Sequence, residues 1–296
     1  METGRFRGLG VALVTPFHED GTPDLESFAR HVEFQVGGGV DFLVPCGTTG
    51  ESATLDDGEQ RSVIETAVAA AAGRVPVVAG AGTNDTDHAA RLARSARVAG
   101  ADGVLSVSPY YNKPSPEGLF RHYEVVAGAA EIPLIVYNVP GRTGGNIDPA
   151  TLFRIAEIDN VVGVKEASGD LEQIMTILQG RPDGFMVLSG DDALTLPIVA
   201  AGGDGVISVA ANEAPDVMSA LVSAALAGDM ATARQAHYRL YPLMKANFIE
   251  TNPVPVKTAL QMMERMVARF RLPLAPMTEA NADALEEAML AAGLLE

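Results

Sequence analysis

Eight short runs of small and β-branched residues recur along this chain, each followed by a stretch with helical spacing. They begin with GVALVTPF from Gly10, FLVPCG from Phe42, VPVVAGAG from Val75 and GVLSVSPY from Gly103. PLIVYNV from Pro133, VVGVKEA from Val161, FMVLSGDD from Phe185 and GVISVAAN from Gly205 complete the set. The intervening segments, such as SVIETAVAAAAGR and AARLARSARVAGA, combine good helix formers with apolar residues at helical intervals. Most successive runs start about 25 to 35 residues apart, the size of one βα unit. They alternate poorly between apolar and polar, as parallel strands covered on both faces do. Eight such units without hairpin signals predict an α/β fold, a (β/α)8 TIM barrel over residues 1–225. An open doubly wound sheet is the competing arrangement. Its glycine-rich dinucleotide fingerprint is absent from the first turn, TPFHEDGTPD.

Beyond the eighth run the pattern is helical: VMSALVSAALAGD, ATARQAHYRLYPLMKANF, VKTALQMMERMVARF and NADALEEAMLAAGLL. One of these closes the barrel, and the rest predict a C-terminal helical appendage, residues 226–296, packed on it. TNPVPVK at Thr251 reads as a rigid turn, because two prolines forbid a continuous helix. The chain of 296 residues is 47% hydrophobic, ample for one large core.

A net charge of −17 argues against nucleic acid and anionic membrane surfaces as partners. No run is long and apolar enough to span a bilayer, and METGRFRGLGVALVTPF lacks the apolar centre of a secretory signal. A single cysteine, Cys46, allows no intrachain disulfide, which fits a cytoplasmic protein. In a chain this acidic, an anionic ligand needs local cations, so basic residues at strand ends are informative.

In barrels of this type the active site lies at the C-terminal ends of the strands. The second strand ends in GTTGES with Thr48 and Thr49, the fourth in SPYYNKP with Tyr110 and Tyr111. The fifth leads into YNVPGRTG with Tyr137 and Arg142, and the sixth ends in Lys165 and Glu166. A lysine deep in a barrel is disfavoured as the ammonium, so its pKa falls from about 10.4 towards neutrality. The free amine attacks a ketone to give a Schiff base whose iminium stabilises a neighbouring carbanion. Tyrosine and threonine hydroxyls suit the accompanying proton transfers, and arginine suits a carboxylate. Each residue also has an ordinary reading. Lys165 can snorkel outward or pair with an acid, Tyr137 can simply pack, GTTGE can be a turn and helix cap, and Arg142 can be a surface cation. Cys46 reads as a small buried hydrophobe. The five histidines lack ligand spacing, Asp191 and Asp192 lack partners in sequence, and metal catalysis is unsupported. The glycines of AGGDGVIS are explained by close packing as well as by a phosphate cradle.

Taken in order, VALVTPF, GTTGESATL, SPYYNKPS, YNVPGRTG, GVKEASGD, LSGDD, GVISVAAN and NPVPVK resemble the dihydrodipicolinate synthase / N-acetylneuraminate lyase family of class I aldolases. GTTGESATL, the tyrosine pair and NVPGRTG side with the branch that condenses pyruvate with aspartate 4-semialdehyde on the way to diaminopimelate and lysine. The resemblance implies that Lys165 forms the Schiff base with pyruvate and Tyr137 shuttles protons. Thr48 would link Tyr137 to Tyr111, which in the family reaches in from a neighbouring subunit. Thr49 would help bind the pyruvate carboxylate, in a pocket lined by Ile207 and Gly190, and Arg142 would hold the carboxylate of the semialdehyde. A homotetramer built as a dimer of tight dimers is implied, with no metal or organic cofactor.

Lysine-inhibited relatives often carry histidines after the ESATL stretch, where this chain has Asp57 and Gln60. His88 stands where their allosteric pocket commonly has a glutamate, although Ser52, Ala53, Asn84 and Tyr110 remain. Weak or absent lysine feedback is the expectation. Two other functions compete: an aldolase for sialic acid or 2-keto-3-deoxy sugar acids, and a non-catalytic ligand-binding barrel. Arg142 speaks against the first, and the amine with its proton relay against the second.

Overall fold

The computed structural model describes residues 3–295. Its strands are β1 (Gly8–Ala12), β2 (Phe42–Val44), β3 (Val78–Gly80), β4 (Gly103–Val107), β5 (Leu134–Asn138), β6 (Val161–Glu166), β7 (Met186–Ser189) and β8 (Gly205–Ser208). Every paired neighbour runs parallel, in the order β2-β1-β8-β7-β6-β5-β4-β3. A bridge between Leu43 and Val77 joins β2 to β3 and closes the ring. All eight sequence-predicted strands are present, though shorter than the apolar runs. FLVPCG stops at Val44 because Pro45 has no N–H to give a ladder and Cys46 turns left-handed, with φ 56°.

The helices are α1 (Leu25–Gly37), α2 (Asp57–Ala71), α3 (Thr86–Val98), α4 (Pro116–Ala130), α5 (Pro140–Thr143) and α6 (Pro149–Ile155). Then come α7 (Leu171–Gly180), α8 (Thr195–Ala200), α9 (Pro215–Leu226), α10 (Met230–Ala246), α11 (Val254–Met262) and α12 (Glu279–Ala292). Their starts are written locally. Asp56 and Glu59 form a reciprocal capping box on α2, and Ser115 caps α4 with Pro116 in its first turn. In TNPVPVK the chain does turn between helices, but Pro255 lies in the first turn of α11, where its missing N–H has no intrahelical partner to lose.

Two apolar layers follow from the strand alternation. Leu134, Val136, Val164 and Val206 pack outward against the helices. Phe42, Leu105, Ile135, Tyr137, Leu188 and Ile207 fill the barrel interior, with Phe6 against its N-terminal end. On β6 the alternation is interrupted. Leu134 pairs with Val161 but the next residue, Ile135, pairs with Gly163, so Val162 is an extra residue. Without that bulge every later side chain of β6 would face the opposite way. Gly163 makes it possible, since a Cβ there would lie 2.7 Å from the Met186 carbonyl oxygen. The glycines of AGGDGVIS sit at the start of β8, at the end of the barrel opposite the strand C-termini. A Cβ on Gly205 would lie 1.9 Å from the Gly8 carbonyl oxygen and one on Gly203 2.7 Å from Ile198 Cγ2, so close packing explains these two. Gly202, with open space around it, serves a left-handed backbone at φ 106°.

Candidate active site

The bulge sets Lys165 facing inward and makes it the register partner of Tyr137 on β5. The lysine Nζ lies 4.4 Å from the centre of the tyrosine ring. Lys165 is 5% exposed, and among the described residues no carboxylate oxygen lies within 4.0 Å of its amine. The adjacent Glu166 faces the other way, where it accepts from Asn138 Nδ2 at 3.0 Å and from the Ser168 N–H at 2.7 Å. Burial lowers the Lys165 pKa to about 8. Asp192 opposes that fall, while the Arg142 guanidinium deepens it. Burial raises the Tyr137 phenol; Arg142 and the nearby Thr48 hydroxyl act the other way. At neutral pH the site therefore holds a protonated phenol beside an amine that readily gives up its proton.

GTTGES forms a tight turn after β2. The Gly50 N–H donates to the Gly47 carbonyl and the Glu51 N–H to the Thr48 carbonyl, both at 3.1 Å. Thr48 and Thr49 thus project into a cavity of about 220 Å³ that Tyr137, Arg142, Lys165 and Gly190 also line. Gly190 keeps the space beside the lysine clear: a Cβ there would lie 2.6 Å from the Ala167 Cβ, too close to fit, and 3.1 Å from Lys165 Cε. Ile207 is buried in the barrel interior with Tyr137 and is not among the cavity's walls. Tyr111 is also outside it. That side chain is 89% exposed on a left-handed backbone, φ 73°.

Arg142, on α5, stands at the rim, exposed, with Nη2 donating to the Asn252 carbonyl at 3.3 Å. Asn252, the asparagine of NPVPVK, is a site residue to which the sequence assigned no role. Its Nδ2 donates to Thr49 Oγ1 at 3.0 Å, so the α10–α11 connection binds the GTTGE turn directly. Asp192 likewise gains its role only in the fold. Its carboxylate accepts the Val209 and Ala210 N–H groups at 3.0 and 2.9 Å, fixing the segment after β8. The signal for Asn252 was a polar residue directly ahead of the proline pair Pro253 and Pro255; for Asp192 the sequence held none.

A second cavity, about 410 Å³, adjoins the first and shares Thr48, Arg142 and Asn252 as walls. Ser52, Ala53, His88 and Tyr110 line it, whereas Asn84 does not. The Asn84 carbonyl accepts from Asn112 Nδ2 at 2.9 Å. His88 Nε2 lies 2.7 Å from the Asp57 carboxylate, so two of the departures noted in the sequence are in contact. Cys46 is buried, and desolvation pushes its thiol up to about 12, which disfavours the reactive thiolate. Among the described residues no cluster of three or more His, Cys, Asp or Glu could hold a metal ion, and no helix is long and apolar enough to cross a membrane.

Residues 5–292 match the model of the dihydrodipicolinate synthetase family. The chain belongs to that family. A 4-hydroxy-tetrahydrodipicolinate synthase of Chlorobium luteolum is 50% identical over 296 residues, covering 100% of both chains. The crystal structure of dihydrodipicolinate synthase from Aquifex aeolicus superposes with a TM-score of 0.95 at 47% identity, covering 98% of this chain and 99% of that one. A synthase variant described as monomeric superposes with a TM-score of 0.96 at 44% identity, covering 99% of each chain. Family membership and the barrel with its C-terminal helices are as the motifs indicated.

Proposed function

We propose that this protein is a Schiff-base lyase that condenses pyruvate with L-aspartate 4-semialdehyde to 4-hydroxy-tetrahydrodipicolinate, in the route to diaminopimelate and lysine. The observation that carries the reading is Lys165 itself: a buried amine without a close carboxylate, 4.4 Å from a phenol ring. The amine adds to the pyruvate ketone, and the carbinolamine loses water to leave an iminium. A proton then leaves the methyl carbon, and the resulting enamine attacks the aldehyde carbon. The semialdehyde's own amine finally displaces Lys165 and closes the ring. Tyr137, with the Thr48 hydroxyl beside it on the cavity wall, carries the protons in these steps. Thr49 and the backbone of its turn receive the pyruvate carboxylate beside Gly190. Ile207 supports that pocket from within the barrel, and Arg142 holds the carboxylate of the semialdehyde.

In this reading Tyr111 completes the relay from a neighbouring copy, in a homotetramer made of tight dimers; its exposure and its distance from its own cavity support that role. The barrel, 1–225, and the helical region, 226–296, act as one unit in the cytoplasm, since Met244, Lys245, Phe248 and Asn252 wall the cavity from the second segment. Reductive trapping tests the chemistry. Borohydride with pyruvate is expected to add one three-carbon unit at Lys165; an unmodified protein, or label on another lysine, refutes it. Aspartate semialdehyde should then outcompete N-acetylmannosamine and sugar-derived aldehydes in a panel assay. Lysine feedback is weak in this reading, because His88 lines the second cavity where lysine-inhibited relatives commonly carry a carboxylate to meet an ammonium. Half-inhibition by submillimolar lysine would show the opposite.

A further inference from the structure

A second buried lysine stands apart from the chemistry. Lys257, on α11, is 0% exposed, and its Nζ lies 2.6 Å from Glu51 Oε1. The same ammonium donates to the Arg269 carbonyl and sits 4.4 Å from the centre of the Phe17 ring and 5.0 Å from that of Phe270. Glu51 is the last residue of the turn that carries Thr48 and Thr49. It is held left-handed at φ 55°, a backbone state that residues with a Cβ avoid unless their surroundings impose it. Its other oxygen accepts the Arg271 N–H at 3.3 Å. The turn is therefore gripped at both ends by one helix: Asn252, just before α11, bonds Thr49, and Lys257 anchors Glu51. Thr15 Oγ1 donates to the intervening Gly50 carbonyl at 2.8 Å and fixes the turn from β1's side.

We infer that the Glu51–Lys257 ion pair is a positioning device for the proton relay, holding the strained turn so that the Thr48 hydroxyl meets the Tyr137 phenol. The inference rests on the Schiff-base reading. Neither residue lies within reach of the Lys165 amine, so both act through Thr48. An acid–base group displaced by a fraction of an ångström loses much of its effect.

The test replaces both charges at once, Glu51→Gln with Lys257→Met, so that no lone charge is left buried. Thermal unfolding and circular dichroism report the fold. The folded variant is expected to lose about 10- to 100-fold in kcat/KM for pyruvate, with its alkaline pH limb displaced. Combined with Thr48→Val, the same replacement is expected to cost less than about twofold more, because the group it positions is already gone. Wild-type kcat/KM in the folded pair variant overturns the inference. So does a loss that multiplies in full on the Thr48→Val background. If the doubly substituted chain does not fold, Glu51→Gln alone, which keeps volume and an acceptor oxygen, is put through the same cycle, and the same two results overturn the inference. Failure of wild-type protein to trap pyruvate would instead sink the Schiff-base reading itself.

Discussion

Two buried lysines end the same kind of string, VGVK at Lys165 and VPVK at Lys257, and they finish in opposite electrostatic settings. Burial lowers both pKa values. Lys257 is compensated at 2.6 Å by Glu51 and by a backbone carbonyl, so its charge is matched and spent on holding chain segments together. Lys165 is offered an aromatic ring and a carboxylate, Asp192, beyond ion-pair distance, and it keeps an amine that sheds its proton near pH 8. The difference teaches that burial alone does not make a lysine a nucleophile; what matters is whether the fold supplies a counter-charge. In the proposed function one lysine serves chemistry and the other architecture.

The largest test of that division is to remove each amine in turn. Lys165→Met should abolish pyruvate trapping and lower kcat by on the order of 10³-fold or more, while the protein stays folded. Stability should even rise. The folded pKa of Lys165 is depressed, so the unfolded chain binds more protons between about pH 8 and 10.5, and the penalty is fully present below that window. Methionine removes it, a gain of up to ~3 kcal/mol at neutral pH that fades above the window. Urea unfolding at pH 7 and pH 10 reads this directly, and a destabilised Lys165→Met protein would erase the contrast.

Lys257→Met should do the reverse. It leaves Glu51 buried without its cation, and losing one partner of such a pair costs about 3–5 kcal/mol. A midpoint of urea unfolding equal to wild type would show that Glu51 takes up a proton or rearranges at no cost, and the architectural role would fall.

The same contrast measures what the sequence could say. The barrel was legible because eight Val- and Gly-rich runs each had to be a strand buried on both faces, and their spacing left little else. Lys165 stood out as a charge at the end of such a run. Lys257 carried an equal local signal but followed a proline pair in helical surroundings, and its partner lies 206 positions away. Pairing across that distance is a property of the closed fold. Asn252 and Asp192 were hidden for the same reason, since their partners Thr49 and the Val209 and Ala210 N–H groups are brought to them by topology. The bulge at Val162 was also illegible. A strand's apolar run records that it is buried, but where every residue is apolar it does not record which way each one faces.

The smallest expected effects are the most pointed, because they ask whether distant charges tune Lys165 or burial does everything. Asp192 favours the ammonium and Arg142 disfavours it, with Asp192 the larger of the two. The midpoint of the pH–trapping curve should therefore lie near pH 8 in the wild type, move down in Asp192→Asn and move up, by less, in Arg142→Ala. Asp192 acts only as the carboxylate, and burial raises its own pKa, so its variant should converge with wild type once the solution is acidic enough to protonate it. Arg142→Ala carries a second readout. Because the guanidinium sits at the rim rather than on the amine, its loss should impair turnover of aspartate semialdehyde far more than trapping of pyruvate. Equal loss of both would make Arg142 a structural prop for Asn252, and two unmoved midpoints would leave burial as the whole cause of the lysine's reactivity.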